Sequence, residues 1–141
     1  MPSTTHPLTD LRVLDLTDSR GDLCGRMLAN LGAAVLKIEP STGVASRRRA
    51  PFGPDGRSLH FAVRNADKRS AVLNLVDSID DAHRNRFLEL VAEADVVVES
   101  WAPGTLDDLG IGPDVLLTAN PSLVVASLTN FGQTGPDRNL V

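Results

Sequence analysis

Five short, β-branched apolar runs, separated by stretches of helical or loop character, restrict this chain more than any other feature. They are residues 11–17 (Leu-Arg-Val-Leu-Asp-Leu-Thr), 34–39 (Ala-Val-Leu-Lys-Ile-Glu, ended by Pro40), 70–75, 95–100 (Asp-Val-Val-Val-Glu-Ser) and 123–128. Each reads as a strand. Val96, Val97 and Val98 are apolar on both faces, which suits a parallel sheet covered by helices on each side.

The intervening stretches carry helix signals. Residues 22–31 place Leu23, Met27, Leu28 and Leu31 on one stripe, and Gly32 stands where a helix C-terminus favours a left-handed residue. Ser78 begins a capping-box-like Ser-x-x-Asp, after which Ile79, Phe87, Leu90, Val91 and Ala94 recur at helical spacing. Residues 106–109 and 114–119 read as short helical turns, and residues 41–57, rich in Gly, Pro, Ser and Arg, as a long loop. The order of these elements predicts an α/β fold: a Rossmann-like, open, mostly parallel sheet with helices on both faces.

Composition narrows the class. A length of 141 residues with 42% hydrophobic content fits one domain with a real core. The formal charge of −4 argues against a nucleic-acid binder. Cys24, the single cysteine, excludes an internal disulfide and a cysteine-built zinc site, and His6, His60 and His83 make no metal-ligand spacing, so no metal is expected. Residues 1–10 are polar with two prolines and read as a flexible N-terminus, not a signal peptide. No apolar stretch is long enough to span a bilayer. A soluble, cytoplasmic protein is expected.

In such a sheet, ligands bind beyond the C-terminal strand ends, where helix N-termini supply free amide donors. That rule selects residues 18–22, 37–49, 76–78, 100–104 and 129–136, which should form one rim. The first turn, Thr17-Asp-Ser-Arg-Gly-Asp22, contains neither a dinucleotide fingerprint nor a Walker A loop. Arg20 and Gly21 can meet a phosphate or an adenine edge, and a solvated turn accounts for them equally well. Arg47, Arg48 and Arg49, with Lys37 and Arg57, form a basic patch suited to an anion, although a mobile, solvated loop is the favoured reading. Asn65-Ala-Asp-Lys-Arg-Ser70 precedes a strand, and its spacing favours a structural turn. Trp101 can stack on a base, line an acyl pocket or pack against the next helix. Cys24 lies on an apolar stripe and reads as buried and inert. No Ser-His-Asp or Cys-His set assembles.

Taken together, five collinear segments are more specific. Residues 11–17, Leu31-Gly-Ala-Ala-Val-Leu-Lys-Ile-Glu-Pro40, Asn65-Ala-Asp-Lys-Arg-Ser70, Asp95-Val-Val-Val-Glu-Ser-Trp-Ala-Pro-Gly104 and Phe131-Gly-Gln-Thr-Gly-Pro136 resemble, in order and spacing, the N-terminal part of the family III coenzyme A transferases. That group includes formyl-CoA and carnitine CoA-transferases and the α-methylacyl-CoA racemases. The resemblance implies an incomplete Rossmann-like N-terminal domain over residues 11–141, truncated relative to the family, with coenzyme A or acyl-CoA as ligand. A homo-oligomer or a partner chain would supply the missing C-terminal part. By position, the CoA contacts would fall on Arg20, Gly21, Pro40, Leu73, Asn74, Leu75, Val76, Ser100, Trp101 and Ala102, many of them through the main chain.

The implied activity is CoA transfer between carboxylic acids. An α-methylacyl-CoA racemase-like fragment and a noncatalytic CoA-binding or assembly module are the alternatives. The family's catalytic residues lie beyond the Gly-Gln-Thr-Gly-Pro loop, so none is expected in this chain. The first turn departs from the family's usual Arg-x-x-Ala-Gly-Pro: Asp22 and Leu23 replace the small residue and proline. Asp108 stands where arginine is frequent, and Ala102 where arginine or glycine is common. Asp18 and Asp108 add negative charge near an expected polyphosphate, which disfavours binding.

Overall fold

Each apolar run becomes a strand of one parallel sheet in the computed structural model, which describes residues 6–76 and 80–140. In chain order the elements are β1 (Arg12–Leu16), α1 (Asp22–Asn30), β2 (Ala34–Glu39), a 3-10 turn (Ala45–Arg48) and α2 (Leu59–Arg64). Then follow β3 (Arg69–Val72), α3 (Asp81–Ala92), β4 (Val96–Glu99), α4 (Thr105–Asp108), α5 (Pro113–Ala119) and β5 (Val124–Ser127). The strand order is β3-β2-β1-β4-β5. In register, Val13 lies beside Val35 and Val96, and Val97 beside Val125. The chain first builds outward from β1 to β3, then crosses back to lay β4 on the other side of β1. That reversal leaves a switch point between the C-terminal ends of β1 and β4, where ligands bind in folds of this kind.

Both faces are covered. On one, Leu14, Leu16, Ile38 and Val97 pack with Phe87 and Val91 of α3, Leu106 of α4 and Leu116 of α5. On the other, Val13, Val35 and Val98 pack with Cys24, Leu28 and Ala29 of α1, and Leu8 joins them. The Leu8 amide donates to the Leu31 carbonyl at 3.0 Å, tying this part of the N-terminal stretch to the end of α1. Gly32 has φ +101, and the bonds Gly32 N–Ala29 O (2.9 Å) and Ala33 N–Leu28 O (3.0 Å) close α1 in a Schellman motif, as the sequence predicts.

Several local expectations are corrected. Most of the apolar stripe of α1 does not face the core: Leu23, Met27 and Leu31 are 47%, 58% and 45% exposed, while Leu28 packs on it and Asp22 and Gly25 are buried. Beneath α1 lie Lys37 under Asp22, Asp15 and Lys68 under Gly25, and apolar side chains under Cys24, Leu28 and Ala29, so the buried face of the helix is a mixed one. The long loop is also partly ordered, since residues 45–48 form the 3-10 turn and α2 follows. Ser58 caps α2 by accepting from the Phe61 amide at 3.1 Å. A six-residue helix is too short to leave a periodic signal. β3 ends at Val72, and Leu73 and Leu75 turn into the core instead of extending the strand. Ser78 and Ile79 lie outside the described residues; α3 is capped by Asp80, whose Oδ1 accepts from the His83 amide at 2.7 Å.

Candidate functional site

The switch point is assembled by the loop after β1. The Asp15 side chain, fully buried, accepts from the Thr17 amide (2.9 Å) and hydroxyl (2.6 Å) and so bends the chain as it leaves the strand. The Asp18 carbonyl then accepts from Gly21 N (3.0 Å) and Asp22 N (2.9 Å), which curls the loop into α1. Gly21 is required by packing: a Cβ there would lie 2.5 Å from Thr17 Cγ2 and 3.0 Å from Leu128 Cδ1.

Ser100 connects this loop to β4. Its hydroxyl lies 2.8 Å from Asp18 N and 2.9 Å from Asp18 Oδ1, and its carbonyl accepts from Arg20 Nη2 at 2.6 Å. Partial burial pushes the Asp18 carboxyl up, but the Arg20 side chain and amide and the Ser100 hydroxyl outweigh it and hold its pKa below the usual value. Arg20, Trp101 and Ala102 line a cavity of about 220 Å³ with Thr129, Asn130 and Arg138. Trp101 also packs on the core cluster beneath. Five of the residues singled out from sequence, Arg20, Gly21, Ser100, Trp101 and Ala102, therefore meet at the switch point.

The others gather further along the same rim, beyond β2 and β3. Pro40 lines a separate cavity of about 260 Å³ with Ser41, Gly43 and Arg47. Asn74 Oδ1 accepts from the Ser41 amide at 2.8 Å. Leu73 and Leu75 are buried, and Val76 is exposed. Arg47 is not free in solvent as the sequence favoured. Its Nε and Nη2 donate to Glu39 at 2.6 and 2.7 Å, and its guanidinium stacks 3.9 Å from the Phe61 ring centroid. Burial raises the Glu39 carboxyl pKa, but Arg47, the Ser70 hydroxyl and the Val44 amide overcome that and leave it depressed. Arg48 Nη1 donates to the Thr42 carbonyl at 2.9 Å, while Arg49 is exposed.

Two features escaped sequence reasoning. Lys37 and Lys68 have side chains only 1% exposed and meet Asp15 and Asp22, both 0% exposed, beneath α1. Lys37 Nζ lies 2.7 Å from Asp22 Oδ1, and Lys68 Nζ 2.6 Å from Asp15 Oδ2. The turn expected before β3 is present, with Asp67 at φ 65, yet its Lys68 is an internal ion and not a surface cation. Glu99, 2% exposed, accepts from the Trp101 amide at 2.7 Å and from Gln133 Nε2 at 3.3 Å. It lines a cavity of about 310 Å³ with Ser127, Thr134 and Arg138, under the glycine-rich loop. The available signal was a charged residue inside three of the five strand runs: Asp15 between leucines, Lys37 between Leu36 and Ile38, and Glu99 after three valines.

The acidic departures in the first turn are neutralised internally, Asp22 by Lys37 and Asp18 by Arg20 at 3.1 Å, whereas Asp108 is exposed. Among the described residues no group of three or more His, Cys, Asp or Glu is arranged to hold a metal ion, and no helix is long and apolar enough to cross a membrane.

Comparison with known proteins bears on the family and the fold. A family model described as CoA-transferase family III matches residues 8–141. The chain is 40% identical over 141 residues to a probable fatty acyl-CoA transferase of Mycobacterium tuberculosis, covering 96% of this chain and 35% of the relative. It is 43% identical over 132 residues to the acetyl-CoA:oxalate CoA-transferase of Acetobacter aceti, covering 92% and 33% respectively. Among solved structures, a CAIB/BAIF family protein from Brucella suis superposes with a TM-score of 0.86 at 34% identity, over 95% of this chain and 36% of that one. The chain thus spans about a third of the length of the curated relatives it matches.

Proposed function

The chain belongs to CoA-transferase family III, and from that membership we propose that it forms the coenzyme A-binding, Rossmann-like N-terminal domain of an enzyme moving CoA between carboxylic acids. The observation that carries this reading is the switch point, where Arg20 is anchored to Ser100 and borders a cavity with Trp101, Ala102 and Arg138. Cations there suit the phosphates of CoA, the nearby amides suit main-chain recognition, and the indole offers a face for stacking. Gly21, Ser100, Trp101 and Ala102 then act with Arg20 at one end of the ligand. Pro40 and residues 73–76 act along the rim, Leu73 and Leu75 through the main chain and Asn74 and Val76 with their side chains available.

Transfer is favoured over racemisation because the relatives described above carry transferase names. No residue of this chain is assigned a catalytic role. The same reading has the protein work in the cytoplasm as an oligomer or with a partner chain. The exposed Leu23, Met27 and Leu31 of α1 and Val124 of the edge strand β5 support an assembled state. Titration calorimetry with CoA and acetyl-CoA tests the central claim. Saturable binding is expected; no heat at protein concentrations well above about 100 µM, where even weak ligands register, would sink it.

A further inference from the structure

We propose that Lys37 and Lys68 are positioning residues for the switch-point site: one ammonium holds each end of the loop between β1 and α1, so ligand affinity depends on two side chains that the ligand does not touch. The distances define the arrangement. Lys37 Nζ donates to the Thr17 carbonyl at 2.8 Å, where the loop begins. Lys68 Nζ donates to the Asp22 carbonyl at 2.7 Å, where the loop ends. Arg20 and Gly21 lie between these two points.

The remaining bonds fix the ammoniums themselves. Lys68 also donates to Asp15 Oδ2 at 2.6 Å and Asn65 Oδ1 at 2.8 Å, which uses all three of its protons. Lys37 donates to Asp22 Oδ1 at 2.7 Å and stands 3.6 Å from Asp15 Oδ1. Asp15 in turn takes the Thr17 amide and hydroxyl. The loop is therefore gripped at both ends by one charge-balanced cluster of two carboxylates and two ammoniums. Gly25 lets α1 descend onto it, since a Cβ there would sit 2.4 Å from Asp15 Oδ2 and 3.0 Å from Lys68 Nζ.

Stability does not require such a cluster. Buried ion pairs replaced together by apolar groups of similar volume are often neutral or better, so their net contribution to folding is small. What an apolar replacement does not reproduce is the pair of bonds to Thr17 O and Asp22 O. In a dinucleotide-binding loop, glycines and main-chain geometry set that shape. This loop has the single Gly21, and the two lysines substitute for the rest.

The proposal rests on the CoA-binding reading for affinity but not for loop geometry, and the test keeps these apart. In the full chain, Lys68→Met and Asp15→Asn are compared with wild type by amide hydrogen exchange and by CoA titration. The expected result is exchange at the Gly21, Asp22 and Cys24 amides accelerated about tenfold by local opening, with CoA affinity reduced about tenfold. A cluster that only stabilises the fold would instead accelerate the core amides of Val97 and Val98. It would accelerate the loop amides no more than those core amides and leave the affinity of folded protein at the wild-type value, and that overturns the proposal. If Lys68→Met and Asp15→Asn do not fold, Asn65→Ala removes one acceptor of the Lys68 ammonium. It should accelerate the loop amides about threefold; unchanged loop amides overturn the proposal. If wild type binds no CoA, the functional reading falls, and the loop amides alone decide this one.

Discussion

Arg20 Nη2 donates to the Ser100 carbonyl at 2.6 Å and joins two loops separated by 80 residues in sequence. The bond crosses the gap between β1 and β4, the one place where adjacent strands of this sheet lead their chains in opposite directions. Asp18 Oδ2 holds the same guanidinium, accepting from Nε at 3.2 Å and lying 3.1 Å from Nη2. Two of the three guanidinium nitrogens are thus committed to shaping the site, and Arg20 also lines the cavity beside it.

Arg20→Ala should therefore separate binding from folding. The Arg20–Asp18 pair is 46% and 40% exposed, and exposed pairs contribute at most about 1 kcal/mol. The urea midpoint should move little. A lost charge-assisted contact to phosphate corresponds to roughly tenfold or more in CoA affinity by calorimetry. Unchanged affinity would assign recognition to the main chain.

Gly25→Ala sets helix propensity against packing. Alanine in a helix interior is favoured by about 1 kcal/mol over glycine. The added Cβ would meet Asp15 Oδ2 at 2.4 Å, inside a fully buried cluster that cannot yield without breaking an ion pair. Overpacking of that kind costs about 1–3 kcal/mol, so net destabilisation is expected in urea unfolding. A stabilised variant would show that α1 can rise off the sheet freely.

Gly32→Ala should lower stability by about 1 kcal/mol or more, read from the thermal midpoint. Glycine alone adopts φ +101 without strain, and a Cβ at this position would also approach His6 Cβ to 2.3 Å. No compensating gain in helix propensity arises, because residue 32 lies outside α1.

Acid should weaken the fold through Glu39. Its folded pKa is depressed, so its contribution is fully present above the unfolded carboxyl value of about 4.3 and is lost as pH falls through the folded value. Asp18 acts in the same direction, less strongly because it is partly exposed. Urea midpoints followed from about pH 7 to about pH 3 should fall in wild type. In Glu39→Gln the starting value should be lower and the fall shallower. Parallel curves would remove Glu39 from the account.

Much of the architecture was legible in the chain. The runs around Val13, Val35 and Val97 announced themselves because strands buried on both faces need apolar residues at most positions. Gly32 marked the end of α1 because few residues other than glycine take the left-handed position. The rim residues Arg20, Ser100 and Trp101 followed from strand polarity, since all strands of a parallel sheet end on one edge. Leu23, Met27 and Leu31 misled, because helical periodicity identifies an apolar stripe without saying what it faces. Arg47 misled for a similar reason: in sequence it is one of three adjacent arginines, and only the fold brings it between Glu39 and Phe61.

The amino-acid order thus determined the sheet, its polarity and the edge on which a ligand would bind, because hydrophobic periodicity and turn chemistry act over short distances along the chain. Tertiary structure alone decided the pairing of charges. Asp15 and Lys68 are 53 residues apart, and Lys37 and Asp22 are 15 apart. Nothing in local propensity favours either match. The low dielectric beneath α1 makes any unmatched charge there far more costly than at the surface, so these partners are selected only once the helix has closed over the sheet.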